Sequence, residues 1–126
     1  MRHLLVFVFV TMFSAFGFAQ SQQALGRECI YNLYQKKDYN KVTTYFSDNL
    51  KKDLTASKLS QTDLLLQKLG DYKGIIEINK DEKGIYYYYV RFENQPMDVI
   101  MKFDDKNKIT GLTMSSVHKE FKSAKK

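Results

Sequence analysis

The chain has 126 residues, with 20 Lys and Arg against 14 Asp and Glu, and a net charge of +6. This length is too short for two ordinary domains, and a content of 44% hydrophobic and 27% charged residues excludes wholesale disorder. One proline, six glycines and one cysteine exclude collagen-like, low-complexity and disulfide-stapled scaffolds.

Residues 1–19 have the pattern of a cleavable export signal. A short basic start precedes an apolar run from Leu4 to Phe18. Gly17 and Ala19 place small residues where signal peptidase requires them, which predicts cleavage before Gln20. The run is shorter than the roughly 20 apolar residues of a membrane span, so an uncleaved anchor is the less favoured alternative. We expect a periplasmic or secreted protein without stable membrane insertion after cleavage.

Helical patterns fill the first half of the mature chain, after a flexible leader at residues 20–23. Apolar residues at helical spacing indicate a helix from Ala24 to Lys36. Asp38 can cap a second short helix, and Thr55 can cap a third from about Ala56 to Leu69. The predicted buried stripe of this third helix consists of Leu59, Leu65, Leu66 and Leu69.

After Gly70, a good helix stop, the hydrophobic period changes from 3.6 to 2. Four strands are predicted, separated by turns short enough for antiparallel hairpins: about Tyr72–Asn79, Ile85–Glu93, Met97–Asp104 and Ile109–Val117. Helices followed by a meander of strands predict an α+β fold with a four-stranded antiparallel sheet. We expect one domain at residues 24–117 and a basic C-terminal tail at residues 118–126.

The hairpin register predicts one apolar sheet face that is buried against the helices. A middle turn at Asn94-Gln95 places Val90 opposite Val99 and Tyr88 opposite Met101, and the last turn places Leu112 beside Met101. The first hairpin can place Ile78 by Tyr86 and Ile76 by Tyr88. The inward residues that we expect to line a ligand pocket are Tyr86, Tyr88, Phe92, Met101 and Met114.

The opposite, outer face carries more apolar and aromatic surface than a solvated sheet needs. Its predicted apolar centre is Ile75, Tyr87, Tyr89 and Ile100, and its polar edge is Arg91 opposite Asp98. Such a patch is typical of an interaction surface. The alternative is that the strand propensity of tyrosine alone explains it, and the sequence leaves both interpretations open.

Four sequence segments carry a resemblance to a known superfamily. They are Lys37-Asp38-Tyr39-Asn40-Lys41-Val42, residues 46–50, residues 54–59 and residues 103–112. These segments resemble the nuclear-transport-factor-2-like superfamily, and in particular an exported bacterial family of unknown function within it. The resemblance implies a cone-shaped fold in which helices close the concave side of a curved sheet, with sheet-to-sheet dimers being common. It implies no reaction, because this superfamily hosts enzymes, binding modules and dimerisation domains.

No catalytic or metal-binding set emerges from the residues. Tyr86 and Tyr88 offer inward hydroxyls, but Asp98 lies on the other face, and hydroxyls without a base form a poor acid–base set. His118, predicted to be exposed, has no second His or Cys at metal-ligand spacing. Cys29 falls on the apolar stripe of the first helix and is expected to be a buried, inert thiol. We therefore predict no catalytic residues, no metal and no cofactor.

The favoured function is an exported, non-enzymatic binding or assembly module that uses the cone pocket, the outer sheet face or both. The alternative is a small enzyme acting on an apolar ligand inside the cone, and a third interpretation is an accessory protein held at the envelope by charge. The expected partners are a second copy of the chain through the outer face and a small apolar ligand. Nucleic acid is not expected, because an exported protein seldom meets it.

Overall fold

The computed structural model describes residues 22–121. Residues 22–30 are α-helical and continue without a break into a π-helical stretch, Tyr31–Lys36; together they form helix α1. Gln22 and Gln23 therefore belong to α1, which corrects their assignment to a flexible leader. The helix ends at Lys37, whose φ of 57° is left-handed and whose N–H donates back toward α1.

Three further helices follow, each capped by the side chain that precedes it. Helix α2 is Tyr39–Thr43, α3 is Asp48–Asp53, and α4 is Ala56–Leu65, which runs into a 3-10 turn, Leu66–Leu69. Asp38, Ser47 and Thr55 each accept a hydrogen bond from a backbone N–H in the first turn of the helix they cap. The Asp38 and Thr55 caps are confirmed, whereas the side chain of Leu65 lies outside what the structure describes.

The strands β1 (Tyr72–Lys80), β2 (Tyr86–Phe92), β3 (Pro96–Phe103) and β4 (Ile109–Ser115) form one open antiparallel sheet in the order β1-β2-β3-β4. Helices followed by this meander confirm the predicted α+β fold. Of the helices in residues 22–121, none has the length and apolar character that crossing a membrane requires.

The register of the sheet is partly as predicted. Met101 pairs with Leu112 as expected. Between β2 and β3, however, Tyr88 pairs with Val99 and Tyr89 with Asp98, a shift of two residues from the prediction. Arg91 consequently lies opposite Pro96 and not opposite Asp98. The two-residue shift keeps every side chain on its predicted face, because side chains alternate with a period of two.

Strand β1 contains an irregularity that the sequence pattern did not predict. Ile75 pairs with Val90, whereas Glu77 pairs with Tyr89, and a register shift lies between them. The additional residue inverts the alternation, so Ile75 packs against the core and Ile76 is exposed. The prediction that Ile75 belongs to the outer face is therefore wrong.

The core lies between the inner sheet face and the helices. Phe92, Val99 and Met101 are buried as predicted, while Leu112 is only half-buried. The other fully or nearly enclosed apolar side chains are Cys29, Ile30, Leu33, Val42, Phe46, Leu59, Leu69, Tyr86, Tyr88, Val90 and Ile109. The helical layer is also joined to β4 by backbone hydrogen bonds, since Ile109 donates to Tyr45 at 2.8 Å and accepts from Ser47 at 2.9 Å.

Candidate functional site

Tyr34 stands at the junction of two cavities between the helices and the sheet. Its ring contacts Phe92 edge-on at a centroid distance of 5.1 Å and stacks on Tyr72 at 6.3 Å. Tyr34, Asp63 and Leu66 line both cavities, which therefore adjoin. We call the combined space the Tyr34 cleft.

The first cavity of the Tyr34 cleft is apolar and has a volume of about 220 Å³. It is bordered by α1, α4 and β4. Its lining beyond the shared residues consists of Leu33, Leu54, Leu59, Thr62, Leu112, Thr113 and Met114. Burial of an apolar molecule here is favourable because most of the lining offers no polar group that would lose water.

The second cavity is polar and has a volume of about 400 Å³. It lies between α1, the 3-10 turn and β1. The charged groups in its lining are Lys37, Asp63, Asp71 and Lys73, and amide side chains accompany them at Gln35 and Gln67. Two positive and two negative groups leave this cavity without a net charge.

Asp63 brings a carboxylate to the junction of the cavities. Lys37 Nζ lies 3.1 Å from Asp63 Oδ2, and the Asp63 side chain is 17% exposed. Burial, and then the nearby Asp63 carboxylate, raises the pKa of the Tyr39 hydroxyl above its usual value. The carboxylate is thus held in place by an ammonium group on α1 and lies close to a phenol on α2.

The hydroxyl of Tyr34 is a polar group at the junction of the two cavities, and the Tyr34 side chain is half-buried. Within residues 22–121 its hydroxyl makes no hydrogen bond, although the phenols of Tyr45 and Tyr88 both do. Burial raises the pKa of Tyr34 strongly, with smaller contributions from Cys29 and Asp63. The phenol therefore stays protonated and is available as a hydrogen-bond donor to a molecule in the cleft.

Only some of the predicted pocket residues line the Tyr34 cleft. Met114 lines the apolar cavity and Phe92 lines the polar one. Tyr86, Tyr88 and Met101 line neither cavity because they are enclosed in the core. The Tyr88 hydroxyl instead donates to the backbone carbonyl of residue 23 at 3.1 Å.

Sequence reasoning missed Tyr34 and Asp63 as site residues. Tyr34 has helical spacing with the apolar residues of α1, so the pattern assigned it to the core. Asp63 lies four residues after Leu59 and three before Leu66, which places a carboxylate within the apolar stripe of α4. An acidic residue at such a position is the signal that could have indicated the site.

The outer sheet face is covered by the chain itself. Residues 116–121, which we call the strap, follow β4 and pack back across the outer face. Asp98, 1% exposed, accepts hydrogen bonds from His118 Nδ1 and from the Lys119 backbone N–H, both at 2.8 Å. His118 is therefore not a freely exposed side chain, and the predicted tail at residues 118–126 is packed at least as far as Phe121.

Aromatic contacts continue this cover along β2. The imidazole of His118 stacks on Tyr89 at a centroid distance of 3.7 Å, and Phe121 meets Tyr87 edge-on at 5.3 Å. Of the predicted interface residues, Tyr87, Tyr89 and Ile100 are half-buried and Arg91 is exposed. Asp98 is buried under the strap, and Ile75 packs against the core.

Two further observations concern metals and thiols. In the part of the chain that the structure covers, no three His, Cys, Asp or Glu side chains are close enough together to hold a metal ion. Cys29 is buried as predicted, and burial raises the pKa of its thiol to about 12. Its thiolate is thus scarce at neutral pH, which makes the side chain a poor nucleophile.

Comparison with known proteins gives a family without an assigned activity. No curated protein and no solved structure matches the chain. The sequence pattern of a family described as a protein of unknown function, DUF3887, matches residues 28–112. This match begins in α1 and ends in β4, so it includes most of the sheet, the whole lining of the polar cavity, and the lining of the apolar cavity except Thr113 and Met114. The chain therefore belongs to the DUF3887 family.

Proposed function

We propose that the protein is an exported binding module that takes a small amphipathic molecule in the Tyr34 cleft. The apolar body of the ligand occupies the cavity beside Leu112 and Met114, and its polar head lies in the cavity beside Lys37 and Asp71. This arrangement is supported by two adjoining cavities of opposite polarity. It follows the usual design of small-molecule sites, in which apolar walls provide affinity and few polar groups provide orientation.

The size and charge of the two cavities restrict the ligand. An apolar cavity of roughly 150 Å³ is enough to bind benzene, so the volume of about 220 Å³ suits a single ring or a short alkyl chain. The two lysines and two aspartates of the polar cavity cancel in charge, which favours an uncharged head rich in hydroxyl groups over a carboxylate or an ammonium group.

The hydroxyl of Tyr34 is the observation that carries this proposal. The Tyr34 side chain is half-buried, and its hydroxyl makes no hydrogen bond within residues 22–121, so it can donate to a bound molecule. Tyr34 lines both the apolar and the polar cavity. A ligand with an acceptor atom between its apolar body and its polar head can accept a hydrogen bond from this hydroxyl.

Binding of three probes with one alkyl chain and different heads tests the proposal. Calorimetric titration with octyl glucoside, octanol and octanoate, each below its micelle concentration, should show the tightest binding for the glucoside. Tyr34→Phe should weaken that binding roughly 3–10-fold, as expected for one lost hydrogen bond. Tyr31→Phe, on the same helix but outside both cavities, should leave it unchanged. Failure of all three probes to bind at millimolar concentration, or equal effects of the two variants, would overturn the proposal.

The enzymatic alternative also has one supporting observation. Asp63 and Tyr34 place a carboxylate and a phenol in the wall of the same apolar cavity, which is the combination that proton abstraction from a carbon acid uses. Lys37 pairs with Asp63, so the carboxylate is occupied in the structure as it stands. Turnover of a ligand found by the titration, abolished in Asp63→Asn while binding persists, would favour the enzyme over the binding module.

The cellular setting of this proposal rests on the sequence. The basic and apolar start with small residues before Gln20 supports export. The order of helices before an open antiparallel sheet supports the resemblance to the nuclear-transport-factor-2-like superfamily. Membership of a family of unknown function is compatible with a binding role and names no ligand.

A further inference from the structure

The outer sheet face contains a buried carboxylate, Asp98, whose hydrogen bonds come from the strap. Asp98 is 1% exposed, and both of its hydrogen bonds in the described chain come from beyond β4, namely from His118 Nδ1 and the Lys119 N–H. An ionised carboxylate is costly to bury without such partners. The site around Asp98 is therefore built to receive donors from a segment that lies across the sheet.

The rest of the strap matches the face around Asp98 in chemistry. His118 Nε2 lies 3.7 Å from a carboxylate oxygen of Glu77, while its ring stacks on Tyr89. Lys119 Nζ lies 5.5 Å from the centre of the Tyr87 ring, which also contacts Phe121. The carboxylates and tyrosine rings of the face are thus contacted by an imidazole, an ammonium group and an aromatic ring of the strap.

Among the contacts within residues 22–121, those that hold the strap come from this face and from one short link to β4. Val117 in the link is 76% exposed, and no residue of the strap belongs to the hydrophobic core. When the strap leaves, Asp98 becomes hydrated, and the core between sheet and helices stays closed. Release of the strap is consequently a local opening that needs less free energy than global unfolding.

We propose that the outer sheet face is a docking site for a short basic segment bearing a histidine and an aromatic ring, and that its second occupant is the strap of another copy of this chain. Every copy carries the same face and the same strap, so exchange recreates each contact without new chemistry. A strap linked to its own face competes at an effective concentration of roughly millimolar. The wild type therefore stays monomeric at micromolar concentration, and exchange becomes visible when the competition within one chain is removed.

Two full-length variants with complementary defects remove that competition. His118→Ala combined with Lys119→Pro removes the imidazole and the backbone donor, leaving an intact face. Asp98→Ala removes the acceptor of both hydrogen bonds, leaving an intact strap. Sedimentation equilibrium of each variant alone should give monomers, whereas an equimolar mixture at high micromolar concentration should give a one-to-one complex.

A mixture that remains monomeric overturns the proposal and leaves the strap as a purely intramolecular element. Circular dichroism and the melting transition show whether each variant is folded, and Tyr89→Ala replaces Asp98→Ala if that variant is not. As a matched control, Glu120→Ala alters a strap side chain that makes no contact with Asp98 or Tyr89. In a mixture of Glu120→Ala with the His118→Ala, Lys119→Pro variant, the Glu120→Ala strap must first leave its own face. This mixture should therefore form the complex at least tenfold more weakly than the mixture that contains Asp98→Ala.

A synthetic peptide provides an independent readout of the same docking. The probe is a fluorescent peptide with the sequence of residues 115–126, SSVHKEFKSAKK, titrated into the His118→Ala, Lys119→Pro variant. The protein concentration at which the anisotropy reaches half of its final change should be at least tenfold lower for this variant than for wild type, because the outer face of wild type is occupied by its own strap. A peptide with alanine in place of His118 should bind at least fivefold more weakly. Equal binding of both peptides would show attraction by charge alone and would contradict the proposal.

Discussion

The aromatic ring of Tyr88 occupies the space that a side chain at Gly26 would require. A Cβ atom built on Gly26 would overlap the hydroxyl and the adjoining ring carbons of Tyr88. Tyr88 is fully buried in the centre of β2, and its hydroxyl donates to the backbone of α1 at residue 23. The distance between α1 and the sheet is therefore set by a glycine on the helix and a tyrosine on the strand.

We expect Gly26→Ala to lower the free energy of unfolding by about 1–3 kcal/mol, the usual cost of overpacking a core. Tyr88→Phe alone should cost about 1 kcal/mol for the lost hydrogen bond. The two changes should not be additive, since removal of the hydroxyl relieves part of the overlap. Urea unfolding of the four proteins in the double-mutant cycle measures this coupling.

Gly111→Ala is the matched control for that cycle. A Cβ at Gly111 lies 3.6 Å from the nearest side-chain atom, which is an ordinary contact. This variant should be as stable as wild type or slightly more stable. If Gly111→Ala lowered the free energy of unfolding as much as Gly26→Ala, the effect would come from the backbone and not from the overlap with Tyr88.

Two inward residues that the sequence placed together should differ in their contribution to stability. Met101 is fully buried, whereas Leu112 is half-buried in the wall of the apolar cavity. Met101→Ala should therefore cost about 2–5 kcal/mol. Leu112→Ala should cost less, about 1–2 kcal/mol, because less apolar surface is lost from the interior. Equal losses in urea unfolding would contradict the placement of the cavity beside β4.

Local signals in the sequence were sufficient to predict helices α1, α2 and α4 and the Asp38 and Thr55 caps, but not α3 with its Ser47 cap. The Asp38 and Thr55 side chains bond to backbone groups three residues later, and such contacts depend only on neighbouring residues. The β2–β3 register could not be predicted in the same way. A shift of two residues preserves the alternation of buried and exposed positions, so the hydrophobic pattern cannot distinguish the two pairings.

The candidate sites depend on contacts that local patterns do not encode. Asp98 and His118 are twenty residues apart, and their bond exists only because the chain reverses after β4. Ile75 and Ile76 are equally apolar, so the hydrophobic pattern could not show which of the two lies in the core. Tyr34 looked like a core residue because its apolar ring, and not its hydroxyl, follows the helical period.

Export with cleavage before Gln20 is the prediction that concerns residues outside the described structure. The small residues Gly17 and Ala19 motivate it. Expression of the full chain in a bacterial host, followed by intact-mass analysis of the periplasmic and medium fractions, should give a species that begins at Gln20. Substitution of Ala19 by Arg should block cleavage. An exported species that retains residues 1–19 would show that the signal is not removed.

Alkaline pH should destabilise the protein because several buried groups keep their protons longer in the folded state than in the unfolded state. Burial, and then Glu28, raises the pKa of Tyr45 from 10.0 to about 12, and burial raises the pKa values of Tyr34 and Tyr88 further. As the pH passes 10, these phenols ionise in the unfolded chain but stay protonated in the fold. The folded state then binds more protons, so the free energy of unfolding falls as the pH rises.

The urea midpoint should therefore be constant around neutral pH and decrease from pH 10 towards pH 12. Tyr45→Phe removes one of the titrating groups, so the decrease should become shallower, although the variant also loses the hydrogen bond from Tyr45 to Glu28 at 3.1 Å. The comparison consequently concerns the slope with pH and not the midpoint at neutral pH. Ultraviolet absorbance of ionised tyrosine provides the second measurement: in the folded protein a fraction of the nine tyrosines should ionise only together with unfolding. A midpoint that does not change between pH 8 and pH 11 would mean that the phenols of Tyr34, Tyr45 and Tyr88 ionise as readily in the fold as in the unfolded chain, and would contradict this prediction.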